Sequence, residues 1–245
     1  MTRSKLILLG SLVLGACCGT FRIPLLSAAG EDPLVNLSKQ VMEAKTIQEL
    51  VATFEGLKEY YFKDHKYSEF VDYLKSLGEK KKTNEPFTNY YTALARYQHL
   101  KYLEEAQLWD EYFSQGNNYR DELTRAAQSA IDSTTTKDPL HIRAELVSWQ
   151  FHKDQQDVFA EDSLSALMSS VMEYTVSSGD PQPVKEAADK LLAYQEKGKA
   201  KELYKIYAQK IISSGLKDEA LRDSASNFYK EGNLELAENI YDAYT

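Results

Sequence analysis

Four histidines, two cysteines and two tryptophans are the side chains of this 245-residue chain with the most chemistry to offer. His65, His99, His141 and His152 lie outside any HExxH, and none is paired at i,i+4 as two zinc ligands on one helix would be. His141 and His152 could share a helix face, but the helical rise would hold them about 16 Å apart. GxGxxG, GxxxxGK[ST] and GxSxG do not occur, so no phosphate cradle or nucleophile elbow can be drawn. Neighbouring acids such as Glu104 and Glu105, or Asp154 with Asp157, read as solvated helix faces rather than an acid/base pair. Trp109 and Trp149 could stack on a sugar, and packing is the simpler use for both. A row of tyrosines (Tyr60, Tyr61, Tyr67, Tyr73, Tyr90, Tyr91, Tyr97, Tyr102) fits either a core between helices or an aromatic groove. The expectation is a protein without catalysis, metal or cofactor.

The cysteines are Cys17 and Cys18, so the chain beyond them has no thiol for a disulfide, a nucleophile or a metal. Arg3 and Lys5 precede the apolar run 6–16, which has the length of a secretory h-region and is shorter than the roughly 20 residues of a spanning helix. The run closes in Leu14-Gly15-Ala16-Cys17, which resembles the lipobox of bacterial lipoproteins. That resemblance implies a signal peptide over 1–16 and acyl chains, palmitate among them, on Cys17. It also implies a membrane anchor in a bacterial envelope. With Cys18 rather than an aspartate beside the anchor, the implied address is the outer membrane, facing the periplasm. Two or three acyl chains satisfy the two-signal requirement for stable anchoring. Ordinary cleavage after Ser27-Ala28-Ala29, or an uncleaved anchor, are the alternatives. Residues 17–32, with Gly19, Pro24 and Gly30, read as a flexible tether.

The elements that must position everything else are helices. Eleven glycines and six prolines are too few for an all-β sandwich, and a net charge of -8 opposes nucleic-acid binding. A mean hydropathy of -0.49 excludes a polytopic membrane protein. Asp32-Pro33, the capping box Thr46 to Glu49, Glu85-Pro86, Asp138-Pro139 and the segment 180–183 mark helix starts. Gly78, Gly116, Gly179, Gly198, Gly215 and Gly232 read as stops. The pattern predicts about nine or ten helices and no strand.

A shift of 34 residues superposes Leu191 on Ala225, Tyr194 on Phe228, Gly198 on Gly232 and Tyr207 on Tyr241. The series Leu221, Ala225, Phe228, Gly232, Ala237, Tyr241 resembles the tetratricopeptide repeat. Looser copies run through Phe54, Tyr61 and Phe70 with His65 in the glycine position, through Tyr90, Ala93, Tyr97 and Ala106, and through Ala144, Val147, Phe151 and Ala160. The resemblance implies an all-α α-α superhelix over 33–245. An irregular bundle with a tyrosine-filled core is the alternative. It further implies a lipid-anchored scaffold or adaptor for an unidentified protein or peptide. Other readings are a subunit of an outer-membrane protein assembly machine, against which stands the lack of any Tyr-Pro, and a periplasmic peptide- or glycan-binding protein. The basic-then-Asn pairs of carboxylate-clamping repeats are missing: Glu55/Glu59, Tyr91/Ala95 and Ala188/Leu192 stand there, and only Arg222, in Arg222/Ser226, is suitable.

Overall fold

The hydrogen-bond-accepting caps marked in the sequence begin helices in the structure. Thr46 Oγ1 accepts from the Glu49 N–H at 3.2 Å while Glu49 Oε2 accepts from the Thr46 N–H at 3.2 Å, a closed capping box. Asp138 caps Leu140 at 2.8 Å and Asp180 caps Gln182 at 3.0 Å. A computed structural model describes residues 33–80, 84–177, 180–213, 219–230 and 234–244. Among them are eleven helices and no strand, one helix more than the sequence suggested. They are α1 (Pro33–Glu43), α2 (Ile47–Phe62), α3 (Tyr67–Lys80), α4 (Glu85–Glu105), α5 (Trp109–Asp132), α6 (Pro139–Gln155), α7 (Ala160–Ser177), α8 (Gln182–Ala193), α9 (Lys197–Ser213), α10 (Glu219–Lys230) and α11 (Leu234–Tyr244).

Short connections make consecutive helices neighbours, and the chain is all-α with hairpins packed in succession, as in an α-α superhelix. After α1 the hairpins are α2–α3, α4–α5, α6–α7, α8–α9 and α10–α11. Their first helices also pack on one another, α2 on α4, α4 on α6 and α6 on α8. Helix α6 is buried on two sides because it belongs to two cores. Leu140, Ala144, Val147 and Phe151 join a cluster with the helices before it. Ile142, Leu146 and Trp149 join a second cluster with α7 to α11.

Four turns inside hairpins share one backbone solution. His65, Gln107, Gln156 and Gln195 all have positive φ, between 52° and 63°. In each turn the following N–H bonds back to the carbonyl five residues earlier: Lys66 to Tyr61, Leu108 to Leu103, Asp157 to His152 and Glu196 to Leu191. These are Schellman closures in which histidine or glutamine occupies the position that favours glycine. The glycines read as stops lie elsewhere: Gly78 and Gly116 are inside α3 and α5, and Gly198 is in the first turn of α9. Gly116 is buried where α5 approaches α4; an added Cβ there would meet Arg120 Nη1 at 3.2 Å and Leu100 at 3.9 Å.

The repeat register moves accordingly. The buried positions of the last two hairpins recur at 37 residues rather than 34. Ala188 now pairs with Ala225, Leu191 with Phe228 and Ala200 with Ala237, and all six are buried. Small alanines at these positions let the paired helices approach closely. Ala106 is the exposed C-cap of α4, not a packing residue of a second helix. Tyr241 is 38% exposed and does not fill an inter-unit gap. Tyr61, Phe70, Tyr97, Tyr207, Ala225, Phe228 and Ala237 are buried. Cys17 and Gly232 lie outside the described residues, as do the Leu221 side chain, the signal and the tether.

Candidate functional site

Polar side chains tie the first helices of successive hairpins together. Tyr97 on α4 donates to Asp154 Oδ2 on α6 at 2.7 Å. The Tyr194 hydroxyl, just after α8, lies 2.6 Å from that of Tyr97 and 3.1 Å from the same carboxylate oxygen. Lys101 Nζ stands 3.6 Å from Asp154. Burial, then the hydrogen bonds with Tyr194 and Asp154, push the Tyr97 hydroxyl far above its ordinary pKa. It therefore keeps its proton, which suits a cross-link and not a general base. The cleft between Tyr97, Tyr112, Phe151 and Asp154 has about 20 Å³, room for one water. Arg143 on α6 grips Glu186 on α8 through two bonds of 2.7 Å, and Tyr91 on α4 donates to Glu55 on α2 at 2.7 Å.

A second polar group is buried inside α6–α7. Ser170 Oγ donates to Glu145 Oε1 at 3.0 Å, and His141 Nε2 lies 3.5 Å from the same oxygen. A hydroxyl, a carboxylate and an imidazole are the parts of a nucleophile relay, but all three are sealed from solvent and the hydroxyl is bonded to the carboxylate. His99 is held likewise, stacked at 4.8 Å on Tyr119 and 3.4 Å from Glu111. No group of three or more His, Cys, Asp or Glu among the described residues could hold a metal. His65 stacks on Tyr102 at 4.1 Å and His152 pairs with Asp157 at 2.7 Å.

The two buried histidines titrate in opposite senses. The hydrogen bond with Glu145 raises His141 above its ordinary value near 6.5, so its contribution is complete below that value and is lost as pH rises through the folded pKa. Burial lowers His99, so its contribution is present above about 6.5 and is lost as pH falls through the depressed folded pKa. We expect urea midpoints measured from pH 5 to 8 to respond accordingly. His141→Gln should remove the loss on the alkaline side, and His99→Gln the loss on the acid side. Identical pH profiles for both variants and the parent would contradict the assignment.

Solvent-facing apolar side chains gather at the turns of the second and third hairpins. Phe113 is 76% exposed, Val158 84%, Phe159 58% and Trp109 43%, with Leu108 beside Trp109. The two groups approach a common cleft through the rings of Tyr112 and Phe151, the latter buried. Trp109 and Phe113 contact Tyr112 with ring centroids 5.8 and 5.7 Å apart, and Tyr112 faces Phe151 across the small cleft. Phe151 touches His152 at 5.4 Å, and His152 touches Phe159 at 5.7 Å. Gln107, Leu108, Trp109, Asp110 and Glu111 line a shallow depression of about 410 Å³. Such a surface can bind by burying large rings; it has no group poised for bond-making chemistry.

Of the tyrosine row, Tyr61, Tyr67, Tyr90, Tyr91 and Tyr97 are core. Trp149 is packing, as expected, whereas Trp109 is on the surface, contrary to the packing reading. Leu108, Phe113, Val158 and Phe159 were not singled out from the sequence. Their signal is an apolar residue where a turn or a polar helix face should stand. No protein-family model matches the chain, and neither a curated protein nor a solved structure shows significant similarity to it.

Proposed function

We propose that this chain is a non-catalytic scaffold of a bacterial envelope, held to a membrane by acyl chains on Cys17 and offering its helical array to another protein or peptide. The observation that carries the reading is the exposed aromatic edge along the α4–α5 and α6–α7 turns. The anchoring half is supported by the lipobox-like Leu14 to Cys17 and by the tether that follows. No helix among the described residues is long and apolar enough to cross a membrane. The tetratricopeptide-like pattern, now in a 37-residue register, supports recognition by surfaces between and along hairpins. Labelled palmitate fed to bacteria expressing the full chain should appear on the parent and on Cys18→Ala, and not on Cys17→Ala. Label that persists in Cys17→Ala would overturn the anchor.

A further inference from the structure

We propose that the α4–α5 and α6–α7 turn edge binds a peptide segment whose large apolar side chains are flanked by lysine or arginine. The inference rests on the scaffold reading but not on lipidation. The apolar half of the argument is the edge itself: Leu108, Trp109, Val158 and Phe159 face solvent at or beside Schellman turns and Phe113 one turn into α5, with Tyr112 and the buried Phe151 lining the cleft between the two groups. Aromatic rings on a fixed backbone lose little entropy on binding and are the usual anchors of an interface.

Charge selects the partner. Glu104 lines the small cleft with Tyr112 and Phe151, Asp110 lines the depression with Leu108 and Trp109, and Glu105, Glu161 and Asp162 stand close by in sequence; all five are exposed, and none is in a salt bridge among the described residues. Of the neighbouring cations, Lys101 is paired with Asp154 and Lys153 with Glu196, while Arg120 lies over the Tyr112 ring. Asp110, Glu161 and Asp162 stand in the first turns of α5 and α7, where the helix dipole favours them. Glu104 and Glu105 are different, because they end α4 at the pole that repels acids. Lys101, one turn earlier, offsets Glu105 in part, and a cationic ligand would offset the charge that remains. The same charge argues against the other occupants. A second copy would bring its own acidic edge and a chain of net charge -8, and anionic headgroups would be repelled.

The test uses the purified full chain and a fluorescein-labelled synthetic peptide alternating leucine and phenylalanine with lysine. Two control peptides carry glutamate for lysine, or serine for the apolar residues. We expect saturable anisotropy with the cationic apolar peptide, weakening as salt is raised, and none with either control. Trp109→Ser with Phe113→Ser should weaken binding about ten-fold or more, and Phe113→Ser alone should do so in part if the double variant fails to fold. Glu104→Gln with Glu105→Gln should weaken it a few-fold and flatten the salt dependence. Val176→Ser, at an exposed valine on the far end of α7, should change nothing. The proposal fails if the glutamate peptide binds equally well or if the Trp109 and Phe113 substitutions leave binding intact. It also fails if those substitutions instead abolish flotation with phosphatidylcholine vesicles, or abolish a dimer seen by light scattering. Peptide binding with palmitate still incorporated in Cys17→Ala would remove the anchor and keep this site; loss of binding with normal labelling would do the reverse.

Discussion

Trp149→Ala is expected to destabilise the chain by about 3–5 kcal/mol and to separate the melting of its two cores. Trp149 is completely buried on α6 and is the largest side chain in the second cluster, with Tyr194 against its ring edge at 5.2 Å. In an array where each hairpin touches mainly its neighbours, α7 to α11 gain much of their stability from this wall of α6. The first cluster uses the opposite side of α6, through Ala144, Val147 and Phe151, and keeps its contacts. The variant carries its own reporter, because Trp109 on α5 becomes the remaining tryptophan of the chain. Urea unfolding followed by circular dichroism should then begin at lower concentration than unfolding followed by Trp109 fluorescence. Coincident curves at a midpoint close to the parent's would sink the two-core account. Trp149→Phe provides the internal comparison. The indole Nε1 has no hydrogen-bond partner, so phenylalanine removes a buried polar group as well as volume. Its cost should stay well below that of alanine.

Starts of helices were legible because capping is local chemistry. Thr46 with Glu49, Asp138 with Pro139, and Asp180 act within three residues of themselves, and each does what its type suggests. Stops were less legible because hairpin packing overrides the preference for glycine. Tertiary contacts hold Gly116 in a helix at a cost of about 1 kcal/mol, and they hold glutamines in turns at a similar cost. That exchange moved the apparent repeat from 37 residues to 34, since Gly198 was matched to Gly232 while the turn belongs to Gln195. The polar ties between hairpins left no periodic trace. Tyr97 and Asp154 are 57 positions apart, and Tyr194 reaches the same carboxylate across 40. The aromatic edge was half legible: Leu108-Trp109 and Val158-Phe159 break the polar pattern of a turn, but which side of a turn meets solvent is settled by the neighbouring hairpin.

Replacing Gln107, Gln156 and Gln195 together by glycine should raise stability by about 2 kcal/mol, roughly 5 °C in Tm for a chain of this size. Each glutamine is exposed, and each holds a left-handed backbone that an L side chain adopts at a cost of about 1 kcal/mol. Glycine removes that strain while adding freedom to the unfolded chain, so the net gain per turn is nearer 0.5–1 kcal/mol. The Schellman hydrogen bonds are made by backbone groups and survive the change. His65 is left out because its ring stacks on Tyr102 at 4.1 Å, and losing that contact would offset the relief. In the sequence, the residue 37 positions after Gln195 is itself a glycine, Gly232. Alanine at the same three sites separates backbone strain from side-chain effects, because its Cβ is as strained as that of glutamine. Thermal and urea unfolding should therefore rank the glycine variant above the parent and the alanine variant near it. Alanine matching glycine would show that the glutamine side chains, not the left-handed backbone, were limiting these turns.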